Sequence, residues 1–253
     1  MSKFEIQKTE YYKHLNSLPP VSETPAITLL LSSKRSSDLL SILNQIKRFN
    51  YPNFNLALGL HQVKLEPEHK KIIKALDKKN AISVVKDYGQ DFNLGKILSD
   101  LGNNVKTPLF AKIDDDDFYS ENYLTELQRT MASTESNVIG KALNYIYLSS
   151  IDSTILRVNN LSVSNPYQFD SWVCGGTIMG QSDLAQKVGW FGEFGSGVDK
   201  YFLGESSNLG AKIYRTHGYG YIYTRNNLTH TYNTINNKYL NGASALGGGL
   251  YQF

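Results

Sequence analysis

The stretch Leu109-Phe110-Ala111-Lys112-Ile113-Asp114-Asp115-Asp116-Asp117-Phe118-Tyr119 joins a short apolar run directly to four consecutive aspartates. The apolar run is typical of a buried strand. Four adjacent carboxylates repel one another, so such a cluster is stable only where water, a cation or hydrogen-bond donors neutralise it. Hard divalent cations such as Mg²⁺ and Mn²⁺ prefer oxygen ligands, and open α/β sheets bind ligands at the carboxyl ends of their strands. The stretch therefore favours a metal site at a sheet edge over a solvated acidic turn.

Strands and helices alternate in the N-terminal half of the chain. Apolar runs predict strands at 27–31, 54–60 and 81–85, and helical spacing predicts helices from Asp38, over 66–79 and from Asp91. A short helix or arm and a proline-containing linker come before the first strand. Repeated alternation of this kind predicts a mostly parallel sheet with helices on both faces.

The pattern changes after Asp117. A helix is predicted over 120–131, capped at Ser120, and strands at 142–148 and 154–158 are expected to form a hairpin. The run 169–178 is predicted to lead through Gly175-Gly176 into another strand, and further strands are predicted at 211–215 and 219–223. A glycine-rich loop over 189–197 opens a helix at Asp199. The tail, 236–253, is rich in Gly and Asn and is expected to be a flexible flap or disordered.

The composition excludes several classes of function. The 253 residues carry a net charge of +3, too slight and too evenly spread to indicate a nucleic-acid partner. The single cysteine, Cys174, excludes an internal disulfide and is expected to be a small buried side chain in a reducing compartment. No apolar stretch reaches membrane-spanning length and the N-terminus does not resemble a signal peptide. We therefore expect a cytoplasmic protein of undetermined oligomeric state, with peripheral attachment to the inner face of a membrane left open.

Four segments, in this order along the chain, resemble the family 2-like glycosyltransferases with the GT-A fold. They are 27–45, 51–60, the acidic stretch 111–119, and Gly175-Gly176-Thr177 together with Gly197-Val198-Asp199. The resemblance implies an α/β fold with a Rossmann-like, mostly parallel central sheet flanked by helices and a small antiparallel acceptor-side region. It also implies an arm or linker over 1–24, a GT-A domain over 25–235 and a tail over 236–253. Within the domain, 25–117 would bind the nucleotide and 118–235 the acceptor.

The resemblance also implies roles for individual residues. Asp116 would ligate Mn²⁺ or Mg²⁺ on the diphosphate of a nucleotide sugar, and Asp114 would contact the metal or the ribose. Four adjacent aspartates leave this register ambiguous, so Asp115 and Asp117 stay candidates for donor and metal binding. Asp199 matches the general base, and His230 matches, more loosely, a late histidine that ligates metal or diphosphate. The residues that fall where the family binds nucleotide are Ser32, Ser33, Arg35 and Lys96.

Two departures from the family pattern affect these roles. The second strand ends in Gly59-Leu60-His61, where most relatives carry acidic residues, one of which contacts the base. Either His61 takes over base recognition or the base is held differently. UDP remains the expected donor nucleotide. Val198 replaces a common glutamate and leaves Asp199 as a single carboxylate.

Each candidate also has an ordinary structural interpretation. Asp199 could be a helix N-cap, and His230 a packing histidine. Lys96 and Arg35 are of the type that is commonly solvated. Trp172 and Trp190 are candidates for core residues or sugar platforms. Trp190 is the better platform candidate, because a tryptophan between glycines is unusual in a core.

The leading functional hypothesis is a metal-dependent, inverting glycosyltransferase of bacterial surface-polymer synthesis. Its acceptor would be a saccharide, a polyol phosphate or a lipid-linked glycan, by family analogy alone. A sugar-phosphate nucleotidyltransferase is the first alternative, although the loop over 32–37 has no glycine for a phosphate-binding turn. The second is a non-catalytic carbohydrate-binding module, which would bind glycans without nucleotide and tolerate loss of Asp199.

Overall fold

The computed structural model describes residues 1–157, 162–226 and 237–253. Within these ranges there are eight α-helices: α1 (Lys3–Ser17), α2 (Ser36–Ile46), α3 (Pro67–Asp77), α4 (Leu94–Gly102), α5 (Tyr123–Thr134), α6 (Ser182–Lys187), α7 (Val198–Asn208) and α8 (Asn237–Leu240). None of them is both long and apolar enough to cross a membrane.

The same ranges contain thirteen strands: β1 (Ile27–Ser33), β2 (Phe54–His61), β3 (Ile82–Tyr88), β4 (Leu109–Asp114), β5 (Phe118–Tyr119), β6 (Val138–Lys141), β7 (Tyr145–Leu148), β8 (Ser153–Arg157), β9 (Gln168–Phe169), β10 (Met179–Gln181), β11 (Ile213–Thr216), β12 (Tyr221–Arg225) and β13 (Ala243–Gly248).

The main sheet has the order β3-β2-β1-β4-β10-β6-β11-β9. Its first four strands are parallel, and β10 runs antiparallel to both of its neighbours. Alternate residues of β1 pack into cores on opposite faces: Leu29 and Leu31 lie in the cluster that contains α2, and Leu30 lies in the cluster that contains α4. A strand buried on both faces needs a continuous apolar run, which is what the sequence of β1 shows. The predicted α/β fold with a mostly parallel central sheet is confirmed.

The register of the parallel strands brings their polar carboxyl ends to one edge of the sheet. Ser32 of β1 pairs with Asp114 of β4, and Ser33 pairs with Leu60 of β2. The residues that follow these strand ends therefore lie close together, as expected for a ligand-binding edge.

A second, five-stranded sheet has the order β13-β8-β7-β12-β5. The predicted hairpin is present, because β7 and β8 pair antiparallel between Tyr145 and Leu156 and between Leu148 and Ser153. Strand β5, immediately after the four aspartates, pairs with β12, so this small sheet lies beside the acidic stretch.

One predicted strand is too long. In the run 142–148 only the last four residues form a strand, β7 of the small sheet, and β6 of the main sheet ends before the run, at Lys141. Asn144 lies between them and donates to the carbonyl oxygens of Arg157 and Ser164 while it accepts from the Gly218 amide, so the chain turns there. The run 169–178 leads through Gly175 and Gly176 into a strand, as predicted: it holds the end of β9 and a 3-10 turn at Gly175–Thr177, and β10 begins at Met179.

The expected helix caps and tail also differ from the structure. The N-caps of α2 and α5 are Arg35 and Asn122, whereas Asp38 lies in the first turn and forms an ion pair with Arg35. The tail is ordered over 237–253, because β13 pairs antiparallel with β8. Helix α1 packs near its end: Phe4 stacks on Tyr251 with ring centroids 4.1 Å apart.

Candidate active site

A cavity of about 690 Å³ lies at the carboxyl ends of β1, β2 and β4. Its lining includes seven of the predicted site residues: Ser32, Arg35, His61, Asp114, Asp115, Asp116 and Asp199. Ser33, Lys96 and Asp117 are not among the residues that line it. His230 lies outside the described residues. Most of the predicted donor and catalytic positions therefore meet in one cavity.

Asp115 and Asp116 share one cation. Asp115 accepts a hydrogen bond from the Ser33 hydroxyl at 2.6 Å and one from the Arg35 guanidinium at 2.8 Å. The same guanidinium nitrogen donates to Asp116 at 3.0 Å. Burial and the neighbouring charges of Asp114 and Asp115 raise the pKa of Asp116 to about 7. Two carboxylates thus share one guanidinium just after the end of β4.

Asp117 has its own hydrogen-bond partners. One oxygen accepts from the Tyr221 hydroxyl at 2.6 Å, and the other accepts from the Thr224 amide at 2.8 Å. The residue is buried, and burial raises its pKa well above the ordinary value. These contacts tie the end of the acidic stretch to β12. Asp117 therefore has a structural role, because both of its carboxylate oxygens bind β12.

Lys112, a residue without a predicted role, connects Asp114 with Asp199. The side chain of this lysine is 2% exposed, and its ammonium lies 2.7 Å from Asp114 Oδ1 and 3.2 Å from Asp199 Oδ1. It also donates to the Gly175 carbonyl at 3.2 Å. A lone cation within an otherwise apolar strand was the sequence signal that could have identified it, since a buried lysine needs acidic or carbonyl partners.

Gly175 and Gly176 make room for the carboxylates. A Cβ at Gly175 would lie 2.0 Å from Asp199 Oδ2, which is far inside van der Waals contact. A Cβ at Gly176 would lie 2.8 Å from oxygens of both Asp114 and Asp117. Because only glycine lacks a Cβ, the pair lets the backbone pass directly beneath three aspartates.

The glycine-rich loop before α7 determines where the helix begins and therefore where Asp199 lies. It docks on α4 through hydrogen bonds from the Gly95 amide to the Phe194 carbonyl (2.9 Å) and from the Ser99 hydroxyl to the Gly192 carbonyl (2.9 Å). Gly197, with φ of +73°, is the N-cap of α7. Asp199 therefore lies in the first turn, with its carboxylate beside Lys112. Burial raises the pKa of Asp199, and the charge of Lys112 opposes that rise.

Trp190 and Lys96 lie away from the positions that their candidate roles require. Trp190 is 2% exposed and packs edge-on against Phe110 with ring centroids 5.3 Å apart, so its interpretation as a sugar platform is wrong. Gly102 permits this burial, because a Cβ there would lie 2.3 Å from the indole. Lys96 forms an ion pair with Glu193 at 3.7 Å on the surface.

Aromatic side chains line the cavity on the side of the small sheet. They are Trp172, Tyr221, Tyr223 and Tyr239. Trp172 is partly buried, and the Arg215 guanidinium lies 5.8 Å from its ring centroid. Cys174 is buried, as predicted, and its sulfur lies 3.4 Å from the Tyr221 hydroxyl. This side of the cavity is suited to contact a ring or an apolar group.

The possible metal ligands among these residues can be compared with those that a divalent metal, as the fold implies, would need. Among the described residues, no group of three or more His, Cys, Asp or Glu side chains is placed to hold a metal ion. These residues therefore do not surround a metal ion with protein ligands alone. Magnesium-like ions in phosphate sites commonly take one or two carboxylates and complete their coordination with phosphate oxygens and water. Asp116 lines the cavity beside Asp114 and Asp115, whose charges disfavour another anion there without a cation, and it fits that arrangement.

Solved structures show the same fold. Comparison of the sequence with family models and with curated proteins gives no match. TarS 1–349 of S. aureus superposes with a TM-score of 0.60 at 14% identity, over 79% of this chain and 60% of that one. Its complex with UDP-GlcNAc gives a TM-score of 0.59 at 14% identity, over 81% of this chain and 60% of that one.

A mannosyltransferase, PcManGT from Pyrobaculum calidifontis, in complex with GDP-Man and Mn²⁺, superposes with a TM-score of 0.62 at 10% identity. The match covers 90% of this chain and 67% of that one. The chain thus spans about 60% of the length of the TarS fragment that it matches. With its parallel sheet, its small second sheet and these structural neighbours, the chain has the GT-A glycosyltransferase fold.

Proposed function

We propose that this protein is a metal-dependent, inverting glycosyltransferase that uses a nucleotide-diphosphate sugar as its donor. One observation carries the proposal: a single cavity holds both an acidic strand end and Asp199, whose carboxylate lies 3.2 Å from the lysine that also binds Asp114. The GT-A fold supports this assignment, since the structural neighbours were solved with UDP-GlcNAc and with GDP-Man and Mn²⁺.

The donor would bind at the carboxyl ends of β1 and β2. Ser32, Arg35 and His61 line that part of the cavity, with His61 as the base contact and UDP as the expected nucleotide. Asp116 would hold the Mn²⁺ or Mg²⁺ together with diphosphate oxygens. This assignment favours the register in which Asp114 binds Lys112 and Asp117 supports the fold. The bound cation would neutralise charge on the leaving diphosphate.

Asp199 would act as the general base. Its Oδ2 would accept the proton of an acceptor hydroxyl while the hydroxyl oxygen forms a bond to the anomeric carbon. The bond from that carbon to the diphosphate breaks, and the diphosphate leaves with the electron pair. Direct displacement by one nucleophile inverts the anomeric configuration. Loss of Asp199 should therefore reduce transfer to a slow residual rate but keep donor binding.

The acceptor is proposed from the aromatic wall of the cavity and from analogy with the fold. Trp172, Tyr223 and Tyr239 are suited to a saccharide, or to a glycan carried on a polyol phosphate or a lipid. We propose 25–117 as the nucleotide-binding half and 118–235 as the acceptor half. The expected setting is cytoplasmic synthesis of a surface polysaccharide.

Thermal unfolding with a panel of nucleotides tests the proposal. UDP, GDP, UDP-GlcNAc, GDP-Man and other nucleotide sugars are each added with and without Mn²⁺ or Mg²⁺. A ligand that binds only the folded protein raises its melting temperature. We expect a rise for one nucleotide family that requires the metal and is lost in Asp116→Asn. Asp183→Asn, a surface carboxylate that is 71% exposed, is the matched control. A shift with free glycans and none with nucleotides would instead indicate the carbohydrate-binding module.

A further inference from the structure

The ammonium group of Lys112 is the most enclosed charge in the active-site cavity. Lys112 lies in the middle of β4, with apolar, fully buried neighbours in Ala111 and Ile113. Its three donors face three acceptors: Asp114 Oδ1 at 2.7 Å, Asp199 Oδ1 at 3.2 Å and the Gly175 carbonyl at 3.2 Å. A buried charge is tolerated only when such partners are present, so the position of this ammonium is fixed by the fold.

The contact with Lys112 restricts the carboxylate of Asp199 from one side. Lys112 holds Oδ1, and the backbone of Gly175 lies directly under Oδ2. Because Lys112 also binds the Gly175 carbonyl, one ammonium fixes both the carboxylate and the backbone that supports it. The side chain of Asp199 is 34% exposed, so the carboxylate can still move only toward the cavity. This geometry leaves Oδ2 as the oxygen available to an acceptor hydroxyl.

We infer that Lys112 is a positioning residue for the general base Asp199, which it holds with Oδ2 in place to take the acceptor proton. This inference rests on the proposed function. Lys112 does not touch the substrate; it acts through Asp199. A small displacement of a catalytic group can cost about 100-fold in rate, so loss of this contact should affect turnover and not donor affinity.

A double-mutant cycle tests the inference. Wild type, Lys112→Met, Asp199→Asn and the double variant are compared, with Lys187→Met as the control that removes an exposed lysine of an ion pair. The readout is nucleoside diphosphate release to water, with the nucleotide sugar that gives the largest thermal shift, so no acceptor need be known. We expect Lys112→Met to lower kcat about 100-fold with KM changed less than about threefold. In the Asp199→Asn background the same change should lower kcat less than about twofold, because the residue acts through Asp199.

The outcomes separate the inference from the proposed function. If Lys112→Met keeps kcat within twofold, raises KM only, or has its full effect in the Asp199→Asn background, Lys112 does not position the base. If the wild type releases no nucleotide, or Asp199→Asn turns over normally, the proposed function itself fails. Should Lys112→Met not fold, Lys112→Gln replaces it: the amide is uncharged, ends one bond closer to the backbone and has two donors for three acceptors, so it does not hold Asp199 as the ammonium does. Folded Lys112→Gln with normal kcat and KM would likewise overturn the inference.

Discussion

Adjacent aspartates in the acidic stretch have different surroundings and should therefore respond differently to substitution. Asp116 lies in the cavity, and burial beside Asp114 and Asp115 raises its pKa to about 7, so its charged form is disfavoured in the fold. Asp117 is buried and accepts hydrogen bonds from the Tyr221 hydroxyl and the Thr224 amide. The first carboxylate is positioned for a ligand, and the second one stabilises the link between β4 and β12.

We predict that Asp117→Ala lowers the free energy of unfolding by about 1–3 kcal/mol, because it removes the acceptor of the buried Tyr221 hydroxyl and of the part-buried Thr224 amide. Asp116→Ala should change it by less than about 1 kcal/mol, because the Arg35 guanidinium nitrogen that contacts Asp116 also donates to Asp115. Denaturant unfolding at pH 8 measures both. A larger loss for Asp116→Ala than for Asp117→Ala would contradict this division of roles.

Gly175 offers a second test at the level of one atom. In Gly175→Ala the new Cβ would lie 2.0 Å from Asp199 Oδ2, so the carboxylate must move. We expect nucleotide-sugar turnover to fall at least about 100-fold while the donor-induced thermal shift is kept. Gly204→Ala on α7 is the control: its Cβ meets nothing within 4 Å, and alanine favours a helix. Equal turnover in the two variants would argue against a fixed position for Asp199.

Seven residues predicted from the sequence line the cavity, and the family resemblance, with the apolar strand that leads into the aspartates, located them. It did not predict the role of Lys112, whose three acceptors come from β4, from the turn at Gly175 and from α7. Nor did it predict the burial of Trp190. That depends on Gly102 of another helix, where the missing Cβ opens the space for the indole.

At the level of elements, the parallel half of the sheet was predictable and the second half was less so. Strands β1, β2 and β4 are apolar on both faces, and local pattern is enough to identify them. The division between β6 and β7 depends on buried hydrogen bonds of Asn144 to distant backbone groups. The order in the tail depends on pairing between β13 and β8, about ninety residues apart, which local composition does not reveal.

The two ends of the chain should stabilise each other. Phe4 of α1 is 5% exposed and stacks on Tyr251, with Phe253 at 5.4 Å. We predict that Phe4→Ala lowers the free energy of unfolding by about 3 kcal/mol. Ile6→Ala, on the same helix but 45% exposed, should cost less than about 1 kcal/mol. Similar unfolding midpoints for the two variants would show that the contact with the tail adds little.

At the scale of the whole molecule, partly buried histidines should make stability depend on pH. Burial, with Lys141 and His14 nearby, lowers the pKa of His217 to about 3. The unfolded chain takes up this proton near pH 6.5, but the folded protein does not. The free energy of unfolding contributed by His217 is therefore fully present above about pH 6.5 and is lost as the pH falls toward 3.

When the pH falls from 7.5 to 4.5, the free energy of unfolding should decrease in both proteins. We predict that the decrease is about 1–2 kcal/mol smaller for His217→Phe than for the wild type. Carboxylates with raised pKa values, such as Asp116, act in the opposite direction, but they are present in both proteins and cancel in the comparison. Denaturant unfolding at the two pH values gives the difference. Parallel losses in both proteins would show that His217 titrates alike in the folded and unfolded states.

The anomeric configuration of the released sugar tests the central claim most directly. The wild type is incubated with Mn²⁺ and the α-linked nucleotide sugar that binds it, and proton NMR follows the first sugar formed, before mutarotation. Direct displacement with Asp199 as the base predicts the β-anomer first and loss of that signal in Asp199→Asn, which should still bind the donor. An α-anomer formed first, or β-sugar formed equally fast by Asp199→Asn, would contradict the account.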